Sequence, residues 1–119
     1  MKIDLTKVSY DAKWFDFGDA RLKIRPFPMS QQDVAIKDGA IIMTGDNGQK
    51  RFVYCLTEME NVPGADGKPL PCTSEVKKTI YDFRLGIIKG TKGEDICMSD
   101  FVLLKTNEMA QEIVEASKN

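Results

Sequence analysis

The sequence predicts an α+β fold in a single domain, with one or more N-terminal β-hairpins packed against three to four α-helices. Three observations carry that expectation. Arg21-Leu22-Lys23-Ile24-Arg25 alternates strictly, the period-2 signature of a half-buried strand. Val102, Leu103, Thr106, Met109, Ala110, Ile113 and Val114 form an apolar stripe on a helix opening at Ser99-Asp100 and running to about Ser117. A chain of 119 residues suits one core, since domains run to ~100–200 residues. The expected division is a β-rich part over 1–28 and a mainly helical part over 30–117, interrupted by loops at 61–72 and 86–98.

The first hairpin rests on several independent cues. Gly18-Asp19 suits a two-residue type II′ turn, with glycine at the central position where φ must be positive. That turn sets Phe17 opposite Ala20, Phe15 opposite Leu22, and Lys13 near Ile24. One face then holds Phe15, Phe17, Leu22 and Ile24. The other sets Asp16 across from Arg21 and Trp14 across from Lys23, an opposite-charge pair and a cation–π pair. Pro26 and Pro28 end the ladder, because proline has no N–H to donate.

Ser30 through Asp33 has the spacing of a helix start, so a short helix is expected over Val34-Ala35-Ile36 before Asp38-Gly39 interrupts it. Ala40 to Thr44 is rich in β formers, and Gly45-Asp46-Asn47-Gly48 is a turn. That turn could close a second hairpin into Arg51–Leu56. The alternative is a helix over 49–61, with Phe52, Cys55, Leu56 and Met59 at i, i+3, i+4 and i+7, and the periodicity favours it. Residues 61–72 carry three prolines and two glycines, an ordered loop or a short linker. Thr73 or Ser74 then caps a helix with Glu75 in its first turn. Val76, Ile80 and Phe83 share one face of it, and Gly86 can stop it. Gly86 to Gly93 is expected to be a flexible connection.

Charge and chemistry mostly exclude. With 17 Lys+Arg against 18 Asp+Glu and a pI near 5.5, no broad positive field points to nucleic acid. No apolar run approaches the ~20 residues of a membrane span. Residues 1–7 lack the apolar segment of a signal peptide, so the expected location is the cytoplasm. The chain has no histidine, which removes Ser-His and Cys-His nucleophiles and imidazole zinc sites. Cys55, Cys72 and Cys97 form no CxxC, and an odd count fits a reducing compartment. Asp16-Phe17-Gly18 spells a kinase magnesium motif but falls inside the hairpin. Gly86–Gly93 fails the phosphate-loop pattern, because Thr91 stands where the second glycine belongs. Glu58/Glu60 and Glu94/Asp95 do not face each other on a helix. Catalytic, cofactor and metal residues are accordingly expected to be none, and an enzyme is not expected.

Two stretches carry a family likeness: Lys13-Trp14-Phe15-Asp16-Phe17 with Leu22-Lys23-Ile24-Arg25-Pro26, and Asn61-Val62-Pro63-Gly64-Ala65-Asp66-Gly67-Lys68-Pro69-Leu70-Pro71-Cys72-Thr73-Ser74-Glu75. Over residues 13–85 the chain resembles the small tail assembly chaperones of tailed bacteriophages and prophages. It departs from them at Met59, near which members often carry tryptophan. The resemblance implies a non-enzymatic protein of the bacterial host cytoplasm that binds the tape-measure protein during tail assembly. The alternative it leaves open is a structural minor tail or head-completion protein. Expected partners are tape-measure or other phage tail proteins, with a homo-oligomer also open, and neither nucleic acid nor membrane. Trp14, Lys23, Pro63, Asp66, Lys68 and Leu70 are the expected partner-binding residues, from an aromatic on the outer hairpin face and a proline-stiffened loop.

Overall fold

The computed structural model describes residues 1–118. Strands β1 (Lys13–Phe17) and β2 (Ala20–Ile24) pair antiparallel, with Phe17 opposite Ala20, Phe15 opposite Leu22 and Trp14 opposite Lys23. Gly18 has φ 57° while Asp19 has no positive φ, as a type II′ turn requires. A Cβ at Gly18 would stand 2.9 Å from the Ile88 side chain, so close approach reinforces the need for glycine.

The stretch 34–36 is not helical. Val34–Lys37 is strand β3 and Ala40–Met43 is strand β4, joined by Asp38-Gly39 with both φ values positive. A type I′ turn demands that pair of conformations, and Asp-Gly supplies them. The two residues that looked like a helix breaker are therefore a hairpin turn. Helix α1 follows at Asn47–Cys55, capped by Asp46, whose carboxylate accepts from the Gln49 N–H at 3.0 Å.

The expected helix over 49–61 holds only to Cys55. Leu56–Glu60 is strand β5, paired antiparallel with β2 in a sheet of order β1-β2-β5. Leu56 and Met59 fit the helical period, but the free edge of β2 offers their backbone a ladder that the helix cannot match at its end. Thr57 is the extra residue of a bulge, and its hydroxyl donates to Lys23 O at 3.1 Å.

Helix α2 (Ser74–Asp82) starts at Thr73, whose hydroxyl accepts from the Val76 N–H. It stops before Gly86: Arg84 turns left-handed at φ 52°, and the Leu85 N–H donates to Ile80 O at 2.9 Å. This closing pattern swings Phe83 outward to 74% exposure, so it does not join Val76 and Ile80 on the core face. Residues 86–98, expected to be a loop, contain a small antiparallel pair, β6 (Ile87–Lys89) and β7 (Asp95–Cys97). The part expected to be mainly helical thus carries five strands, because β3 to β7 all lie beyond residue 30. Helix α3 (Met98–Ser117) is the longest element.

The core gathers one side chain set from every layer. Phe17, Leu22 and Ile24 from the sheet meet Phe52, Cys55 and Leu56 from α1 and β5, Ile80 from α2, and Met98, Val102 and Met109 from α3. Phe17 also packs on Phe101 with ring centroids 5.1 Å apart. The stripe expected on α3 is only half used. Val102, Thr106 and Met109 are buried, whereas Ala110 and Val114 are exposed.

An apolar groove with one unpaired arginine

Where β2 leaves the sheet, the chain builds a groove. The Arg25 N–H donates to Cys55 O at 2.9 Å, which turns the Pro26-Phe27-Pro28 segment across the end of α1. Phe27 is buried and meets Tyr54 edge-on at 5.6 Å. Arg51 lies over the Phe27 ring, its guanidinium carbon 5.5 Å from the centroid, and donates to Asn107 Oδ1 at 2.9 Å. The opposite wall comes from the last turns of α3 through Ala110, Ile113 and Val114. Tyr10 and Met29 form the rim, and the N-terminal segment is held near α3 by the Asp4 N–H donating to Ser117 O at 2.8 Å. The space enclosed is about 450 Å³, within the size range of ligand clefts.

One charged group serves this largely apolar surface. Arg25 stacks on Tyr54, its guanidinium carbon 3.8 Å from the ring centroid, and Nε donates to Tyr54 O at 2.8 Å. Its two terminal nitrogens take no hydrogen bond and no carboxylate partner among the described residues. A guanidinium held by its stem and its face, with the fork left over, is arranged to receive a carboxylate. The groove therefore suits an apolar segment that carries an acidic group.

The expected partner residues fall in two separate places. Trp14 and Lys23 do come together, with Lys23 Nζ 5.8 Å from the indole and Arg21 nearer at 4.8 Å. They belong to a charged outer sheet face where Lys23 pairs with Glu58 at 3.0 Å and Arg21 with Glu60 at 3.3 Å. Pro63, Asp66, Lys68 and Leu70 lie on a tight loop. The Leu70 N–H donates to Val62 O, Gly64 N–H to Lys68 O, and Lys68 N–H to the Asp66 carboxylate. Pro63 and Pro69 bridge across it. Pro63, Asp66 and Lys68 are exposed, and Leu70 is half-buried beside Val76, Ile80 and Leu85. No hydrogen bond or ion pair joins this loop to Trp14 or Lys23 among the described residues.

Sequence reasoning missed the groove itself, namely Tyr10, Arg25, Phe27, Met29, Tyr54, Ile113 and Val114. One signal was present: Ile113 and Val114 extend the α3 stripe past the length that the core can cover.

The titrating groups of the interior are structural. The Lys77 ammonium is buried and donates to Val53 O and Leu56 O, both at 2.8 Å, and burial pushes its pKa down. Burial pushes the Cys55 thiol up to about 12, so at neutral pH it is a protonated apolar group, not a nucleophile. Cys72 is raised by burial as well. Among the described residues no group of His, Cys, Asp or Glu could hold a metal ion. Nor is any described helix long and apolar enough to cross a membrane.

Fold and groove together define a small α+β domain with an open, Arg-flanked apolar cleft. No family model, curated protein or solved structure matches the chain.

Proposed function

We propose that this chain is a non-enzymatic binding protein that holds an apolar helical segment of a partner, and that the partner is the tape-measure protein of a phage tail during assembly. The observation that supports the reading is the groove between Phe27, Tyr54 and the end of α3, with the unpaired Arg25 beside it. A helix lays its i, i+3 and i+4 side chains into such a groove, and an acidic residue on the same helix meets the guanidinium. Shielding that helix face would keep it from aggregating before the tail forms. Trp14 and Lys23 on the outer sheet face, with Pro63, Asp66, Lys68 and Leu70 on the rigid loop, are proposed as further contacts.

Co-expression with the tape-measure protein encoded in the same genome tests this. The wild-type chain should raise that protein's soluble fraction, and Val114→Glu, on an exposed turn of α3, should remove most of the gain. Arg25→Ala should remove part of it. If the tape-measure protein is equally soluble with and without the chain, the reading fails. Detection of the chain in purified particles by mass spectrometry would favour a structural tail component instead.

A further inference from the structure

The ribbon formed by β3 and β4 is the least explained part of the molecule. Every residue of both strands is exposed, and the two strands form a sheet of their own. Its register places Val34, Met43, Ile36 and Ile41 on one face, 43%, 57%, 79% and 73% exposed. An isolated two-stranded ribbon is marginal in water. Its base is nevertheless fixed. The Asp33 N–H donates to Asn47 Oδ1 at 2.7 Å, Thr44 N–H donates to Asp33 O at 2.8 Å, and Lys50 pairs with Asp33 Oδ1 at 2.9 Å. The ribbon is anchored to α1 and presented, with its edges uncovered.

We propose that β3 pairs antiparallel with β3 of a second copy of this chain across a two-fold axis at Ala35. The segment Asp33-Val34-Ala35-Ile36-Lys37 is its own antiparallel complement. Centred on Ala35, Asp33 lies opposite Lys37 of the second copy, Val34 opposite Ile36, and Ala35 opposite itself. The backbone agrees with that register. The bond from Thr44 N–H to Asp33 O and the pairing of Ala35 with Ile42 fix the residues whose N–H and C=O groups face β4. Val34 and Ile36 therefore turn theirs outward, and they are the two residues that must exchange bonds with the second copy. The axis then falls on Ala35, small enough for close approach.

Charge selects β3 over the other edge. β4 (Ala40–Met43) carries no charge, so nothing on it defines a register. On β3, Lys37 makes no ion pair, and Asp33 Oδ2 accepts no hydrogen bond, among the described residues. Two opposite-charge pairs thus flank the axis, and a two-fold interface repeats each of them. The product is a four-stranded sheet in which two uncovered edges have become internal. None of these residues lines the groove, so the pairing stands or falls apart from the binding function.

Analytical ultracentrifugation of the full chain over a concentration series tests the proposal. A dimer is expected. Lys37→Glu, at an exposed position, should raise its dissociation constant about tenfold by setting like charges opposite each other. Ile36→Pro deletes an outward N–H while leaving the β4 ladder intact, and should abolish the dimer. Ala35→Cys in a Cys72→Ser background should cross-link on oxidation, since facing residues in this register lie about 4.5 Å apart between Cα atoms. A chain that is monomeric up to about 100 μM would overturn the proposal. So would a dimer indifferent to Lys37→Glu and Ile36→Pro, or an Ala35→Cys chain that does not cross-link.

Discussion

The hairpin Lys13–Ile24 and the ribbon Val34–Met43 obey the same local rules, yet the first is built into the core and the second stands clear of it. Each has a two-residue turn with positive φ where its turn type requires it, and each carries one apolar face. They differ in what lies beside them. The first hairpin gains β5 at its free edge, and α1 and α3 cover Phe17, Leu22 and Ile24. The ribbon gains neither a third strand nor a helix, and none of its side chains is buried. Turn chemistry is thus enough to make a hairpin. It does not bury one.

Four measurements bear on that contrast, and the largest effect belongs to the core. Phe52→Ala removes a fully buried ring from beneath the first hairpin, and urea unfolding should show a loss of about 3–5 kcal/mol. A loss below about 1 kcal/mol would mean that the core tolerates the cavity and that burial is not what separates the two regions.

Lys77→Met comes next. The Lys77 ammonium satisfies Val53 O and Leu56 O at the junction where α1 becomes β5, the strand that completes the first sheet. Leaving two carbonyls unpaired should cost about 1–3 kcal/mol in the same assay. An unchanged midpoint would detach the junction from the sheet's stability.

The third measurement is a pH series. The Cys55 thiol is held up to about 12 in the folded chain, against an ordinary value of 9.0. Above pH 9 the unfolded chain loses this proton while the folded chain keeps it, so stability falls as pH rises between those values. Lys77, lowered by burial, acts in the opposite direction: its unfavourable burial is relieved as pH approaches its ordinary 10.5. Comparing wild type with Cys55→Val isolates the thiol. Between pH 8 and 10 the wild type should lose about 1 kcal/mol more than the variant. Equal losses would show that Cys55 titrates as an exposed thiol.

Ile41→Ala on the ribbon face should have the smallest effect, within about 0.5 kcal/mol at concentrations where the chain is monomeric. A core-sized loss there would erase the distinction between the regions.

The sequence made the chain legible wherever a signal acts over a few residues. The Gly18-Asp19 turn and the Thr73 cap are local, and both stand where expected. Asp38-Gly39 was equally local, but its meaning depended on pairing Val34 with Met43, and a helix-start pattern at Ser30–Asp33 competed with that reading. The groove was legible only as a surplus. Ile113 and Val114 overrun the core, while Tyr10, Arg25 and Tyr54 come from segments whose meeting no short spacing encodes.

By itself, then, the sequence determined the Gly18-Asp19 turn, the Thr73 cap, the long C-terminal helix and the lack of histidine chemistry. These follow from backbone preferences and side-chain inventory, which act over one or two turns of chain. Only the tertiary structure decided that Leu56–Glu60 is a strand, because the hydrogen bonds that hold it come from the free edge of β2, more than thirty residues earlier in the chain. It also decided which apolar faces would be covered, since burial depends on which elements remain to pack against them. The first hairpin found β5 and two helices, and the ribbon found neither, so its faces stay exposed.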